Sequence, residues 1–73
     1  MWYLVYLSSG TDDVYFRFKE KNDEAAVRRA VSVMERRYPK MDLLAVARFR
    51  DRYECERPEN QGQLVWDWIN GYV

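Results

Sequence analysis

Hydrophobic spacing changes twice along this 73-residue chain, and those two changes constrain its fold more than any other feature. From Val14 to Lys19 apolar and polar residues alternate, with Val14, Phe16 and Phe18 on one side and Tyr15, Arg17 and Lys19 on the other. That is the period of a half-buried strand. Between Asn22 and Pro39 the spacing lengthens, and Val27, Ala30, Val31, Met34 and Tyr38 form the stripe of an amphipathic helix lying on a sheet. Asn22 and Asp23 suit its N-cap, Glu24 its first turn, and Arg36 and Arg37 its last turn, before Pro39 stops it. From Leu43 to Glu56 the period returns to two. Leu43, Ala45, Ala47, Phe49, Tyr53 and Cys55 then share one face; Leu44, Val46, Arg48, Arg50, Arg52, Glu54 and Glu56 share the other. This predicts one long strand with its odd-numbered face against the helix, Ala45 and Ala47 giving the helix room to approach.

Ahead of these segments, Trp2 to Leu7 is an apolar run ended by the turn formers Ser8 to Asp13, which predicts a first strand and a hairpin to the second. The tail reads two ways. Leu64, Val65, Trp68, Ile69 and Tyr72 make a helical stripe, yet Gly62 is a poor helix residue and Val65, Trp66, Trp68 and Ile69 favour strands. A long third strand also needs a partner for its distal backbone groups, and Arg57 to Gln63 suits a turn. The expectation is therefore an α+β fold of order ββαββ, an antiparallel sheet with one amphipathic helix on one face. The alternative is ββαβα with a short C-terminal helix. No repeat or linker divides residues 1–73, so one domain is expected.

Hydrophobic residues make up 48% of the chain and aromatics 16%, which argues for a folded core and against disorder. Twelve basic and twelve acidic residues cancel, so no global field steers the protein toward nucleic acid or membrane. Cys55 is alone, which excludes an intrachain disulfide and points to a reducing, cytoplasmic setting. The apolar start has no basic leader and is too short to span a bilayer.

Histidine is absent, which removes imidazole proton transfer and Ser/His or Cys/His nucleophiles. Glu54 and Glu56 share a strand face in this reading, but nothing beside them suggests a pocket. Ser8-Ser9-Gly10-Thr11 lacks the lysine and spacing of a phosphate-binding loop. Asp12, Asp13 and Asp51 lack the ligand spacing of a calcium site. The expectation is a non-enzymatic chain with no cofactor and no metal.

The informative constellation is the sheet face that one helix leaves uncovered, carrying Tyr15, Arg17, Arg48, Arg50 and Arg52 beside Leu44 and Val46. Three readings compete: a solvated face with paired charges, a protein interface rich in Arg and aromatics, or a surface for single-stranded nucleic acid. A protein partner is the first expectation and nucleic acid the alternative, because zero net charge removes most non-specific nucleic-acid affinity. Trp66 and Trp68 belong either to a thin core or to a partner contact. Uncovered strand edges, with few charges along Trp2 to Leu7, also raise a homodimer as an expectation.

In size and layout, though in no residue motif, the chain resembles the small α+β proteins encoded by phages and mobile elements, anti-CRISPR inhibitors among them. The resemblance implies steric occlusion of a host defence nuclease complex. Many such inhibitors are acidic DNA mimics, and this neutral, arginine-rich chain departs from that pattern.

Overall fold

The computed structural model describes residues 1–57 and 62–73. Strands β1 (Trp2–Ser8) and β2 (Asp13–Lys19) pair antiparallel without a break, from Trp2 opposite Lys19 to Ser8 opposite Asp13. Helix α1 (Asp23–Arg37) follows, capped as its sequence predicts: the Asn22 side chain accepts from the Ala25 N–H at 2.8 Å. Strand β3 (Asp42–Phe49), the short helix α2 (Arg52–Glu56), strand β4 (Gln63–Asp67) and strand β5 (Gly71–Tyr72) complete the chain. The sheet order is β2-β1-β3-β4-β5, antiparallel throughout. This is the α+β, ββαββ arrangement, and residues 63–67 are strand rather than the alternative helix. The expected Arg57 to Gln63 turn lies largely outside the described residues.

Helix α1 packs on β1 and β3. Its Ala26 and Ala30, both fully buried, let it approach Tyr3, Val5 and Leu7 of β1, with Phe18, Leu43 and Val46 closing the layer. A small domain has few such layers, so each of these side chains carries a large share of the burial that stabilises the fold.

Three expectations are corrected, two of them about the third strand. It ends at Phe49, because the Asp51 side chain accepts from the Glu54 N–H at 2.9 Å and starts α2, with Arg50–Glu54 and Arg52–Glu56 pairs supporting that turn. A local cap outcompetes continued alternation there. Its faces are also exchanged beyond Leu43. Leu7 pairs Leu43 and Tyr6 pairs Ala45, so Leu44 is an extra residue in β3. One bulged residue turns every later side chain to the opposite face. Val46 and Arg48 therefore lie on the α1 side, while Ala45, Ala47 and Phe49 lie on the other, and close helix approach rests on Ala26 and Ala30 alone. Finally, β1 is internal to the sheet, so Trp2 to Leu7 offers no edge for self-association.

The second face is not bare. Helix α2 folds back over it, burying Cys55 and Phe49, and the Arg52 guanidinium lies 5.4 Å from the Trp2 ring centroid. Gly62, at φ +63, sits against the Phe49 ring, where a β-carbon would come within 2.6 Å. Among the described residues no helix is long and apolar enough to cross a membrane.

Candidate functional site

The residues predicted to form one arginine face are divided between four places. Arg48 lies on the helix side, its Nη1 2.7 Å from Asp23 Oδ2 and its Nη2 2.5 Å from Gln63 Oε1. Arg50 stands in the bend after β3, 77% of its side chain exposed, and pairs with Glu54. Arg52 belongs to α2 and pairs with Glu56 at 2.7 Å. Arg17 remains on the second face, where its Nε donates to the Cys55 carbonyl at 3.0 Å and so fastens α2 to β2. Tyr15 stacks on Tyr6 with ring centroids 4.7 Å apart. Leu44 and Val46, the expected apolar companions, are a bulge residue and a core residue. The contiguous arginine surface does not form, and with it goes the geometric basis for stacking nucleic acid on this face.

The two tail tryptophans do come together. Beside β3, strand β4 has a bulge of its own: Val46 pairs Trp66 and Ala47 pairs Leu64, leaving Val65 as the extra residue. Val65 is buried in the core, and Trp66, directly opposite Val46, lies half-buried on the α1 side. Trp68, the first residue after the strand, donates its N–H to the Leu44 carbonyl at 3.1 Å. With Val31 and Met34 of α1 and Leu43 and Leu44 of β3, the two tryptophans line an apolar groove of about 690 Å³. Asp42 and the Ser8–Gly10 turn form its polar rim.

Beyond the groove, the chain turns sharply to reach β5. Asp67 holds that turn: its Oδ1 accepts from the Ile69 N–H at 3.0 Å and the Asn70 N–H at 2.7 Å, and its Oδ2 accepts from the Asn70 side chain at 3.2 Å. These bonds, the Asn70 N–H first, hold the Asp67 carboxyl below its ordinary pKa. The turn presents Trp68 at 65% exposure and Ile69 at 74%, with Tyr72 and Val73 exposed beside them. Large apolar side chains are thus gathered on one hydrogen-bonded turn. The sequence singles out Trp66 and Trp68, but it places Val31 and Met34 in the helix stripe and Leu44 beside the arginines, and it does not show the Asp67 turn. The Asp67-Trp68-Ile69-Asn70-Gly71 run was the available signal, an Asx turn ending in a glycine at φ +71.

No protein-family model, curated protein or solved structure matches this chain. What it does is read from its own geometry. Cys55 is buried, and burial pushes its thiol pKa up, the opposite of what a nucleophile needs. Glu54 and Glu56 are engaged by Arg50 and Arg52 along α2. Among the described residues no three of His, Cys, Asp or Glu gather to hold a metal ion.

Proposed function

We infer that this chain is a non-enzymatic protein-binding module that takes an amphipathic helix of a partner into the groove between α1 and β4. The observation that carries the reading is the uncovered strip of sheet beside α1. Five strands span roughly 19 Å between outer axes, whereas a helix with its side chains is about 10–12 Å across. Helix α1 lies over β1 and β3, and the α1-side groups of β4 and β5, Trp66 and Tyr72 in directly opposite register, extend beyond it. That strip has room for one more helix, and its wall is apolar. Met34 and the tryptophans provide adaptable, large contact area, the residue types that carry most binding energy when they become fully desolvated. Preorganisation of the Trp68–Ile69 turn by Asp67 lowers the ordering cost of association.

The resemblance in size and layout to phage and mobile-element inhibitors supports the same mode, stoichiometric occupation of a partner's working surface. A host defence nuclease complex is the first class of partner to test. Photo-crosslinking from position 68 in host cells provides that test. The expected product is a single partner polypeptide, cross-linked through an amphipathic helix, that disappears when Met34→Glu closes the groove. Turnover of a substrate by sub-stoichiometric protein, or cross-links obtained only from Arg28 on the exposed side of α1, would replace this reading.

A further inference from the structure

Strand β2 ends the sheet on the side away from the groove, and among the described residues it pairs with β1 alone. Which of its amides face outward follows from the hydrogen bonds at the strand end. Glu20 N donates to the Met1 carbonyl at 3.0 Å and Met1 N donates to the Glu20 carbonyl at 3.4 Å, so Met1 and Glu20 form a bonded pair. At the far end Ser9 N donates to the Asp12 carbonyl at 3.0 Å. In an antiparallel ladder bonded and non-bonded pairs alternate, so Asp13, Tyr15, Arg17 and Lys19 turn their N–H and C=O groups away from β1. The Lys19 carbonyl already accepts from Arg29 Nη1 at 3.2 Å, which places a guanidinium on the edge itself. Among the described residues, the amides of Tyr15 and Arg17 have no hydrogen-bond partner.

Cations surround this edge. Helix α1 runs beside β2 in the opposite direction, the Arg29 guanidinium lying 4.5 Å from the Phe18 ring and the Tyr38 ring 6.5 Å from that of Phe16. Between helix and strand is a cleft of about 300 Å³ to which Arg29, Arg36 and Arg37 contribute. Glu20 pairs with Arg29 at 3.5 Å, but among the described residues Arg36, Arg37 and Lys19 have no carboxylate within ion-pair distance. Lys19 and Arg17 bring positive charge to the opposite face of the same edge. The chain as a whole is neutral, so this concentration is local.

We propose that the β2 edge is a second binding surface, which takes an extended acidic segment of a partner protein by strand addition. The open edge supplies directional hydrogen bonds at two-residue intervals, the repeat of a peptide strand. The arginines choose its charge. Arg29 and Arg36 are separated by about 10.5 Å along α1, and carboxylates on alternate residues of an added strand cover about 13 Å over five residues, enough to reach both. A lone electrostatic patch would attract nucleic acid as readily; edge amides in peptide register distinguish the two partners.

The test uses a fluorescein-labelled heptapeptide of alternating glutamate and valine, its lysine–valine counterpart, and a ten-nucleotide deoxythymidine strand. Fluorescence anisotropy should show binding of the acidic peptide alone, weakened at least about tenfold by Arg36→Glu with Arg37→Glu and unchanged by the charge-matched Arg28→Glu with Lys40→Glu. Both pairs are exposed, and thermal unfolding of each double variant checks that the fold is kept. With the wild-type protein, N-methylation of the peptide amides that face the edge should abolish binding, and the Tyr15 and Arg17 amide protons should become protected from exchange when the unmodified peptide is added. No acidic-peptide binding up to about 1 mM, the affinity at which a contact amounts to some 4 kcal/mol, overturns the proposal. So does binding that ignores N-methylation, which would be charge attraction without strand pairing, and so does tighter binding of the oligonucleotide.

Discussion

Arg48 and Asp23 tie the middle of the sheet to the first residue of α1 through a 2.7 Å ion pair. The other Asp23 oxygen accepts from the Tyr3 hydroxyl, also at 2.7 Å, so one carboxylate satisfies two strands and helps to anchor the helix. Arg48→Ala should therefore lower stability by about 1 kcal/mol, the usual worth of a part-exposed, charge-assisted contact, and leave groove binding intact. Urea unfolding of Arg48→Ala, Asp23→Asn and the double variant measures the coupling. Additive losses would show that the two residues act separately.

The same site predicts the alkaline limit of the fold. Burial first, then the Asp23 hydrogen bond, pushes the Tyr3 phenol up to about 12 from 10.0. A group whose folded pKa is raised contributes stability that is complete below its unfolded value and lost as pH rises through the folded one. Stability should fall between pH 10 and 12, and Tyr3→Phe should flatten that decline while costing about 1 kcal/mol at neutral pH. Thermal unfolding across this range checks both.

Gly62 and Gly10 share a positive φ but differ in surroundings. A β-carbon on Gly10 meets nothing within 4 Å, whereas on Gly62 it would meet the Phe49 ring at 2.6 Å. Gly62→Ala should cost about 2–3 kcal/mol, combining backbone strain with overpacking, and Gly10→Ala about 1 kcal/mol from strain alone. Equal losses in denaturant melts would mean that Phe49 moves aside freely.

Cys55 reports on the packing of α2. The residue is 1% exposed, and burial raises its thiol pKa, opposed in part by Arg17. Modification by an aromatic disulfide reagent at pH 8 should be slow in the native protein and fast in urea. Arg17→Ala, which releases the bond to the Cys55 carbonyl, should speed the native reaction at least about tenfold by freeing α2 to open locally.

The Asp67 turn predicts an acid-sensitive binding surface. A carboxylate whose folded pKa is depressed contributes stability above its unfolded pKa and loses it as pH falls through the lower folded value. Amide resonances of Ile69 and Asn70 should therefore shift together at a pH below the ordinary aspartate range. Asp67→Ala should abolish that transition and weaken capture at position 68 at neutral pH without unfolding the sheet.

Sequence alone determined the first two strands, the long helix and the start of the third strand. The two-residue period of Val14 to Lys19, the stripe from Val27 to Tyr38 and the Asn22 cap are local signals, and local backbone chemistry is enough to realise them. The prominence of Trp66 and Trp68 was legible for the same reason, since residue type marks an interface aromatic wherever it lies. Tertiary structure decided which way the third strand faces. Leu44 is bulged only because Leu7 and Tyr6 of β1 pair on either side of it, and no residue within β3 announces that pairing. That single insertion moved Arg48 to Asp23, Val46 into the core and Phe49 beneath Gly62, and together with the Asp51 cap, which takes Arg50 and Arg52 off the strand, it dissolved the arginine face that strict alternation predicts. Alternation cannot show such a shift, because a strand's side-chain phase is set by hydrogen bonds to residues far away in sequence.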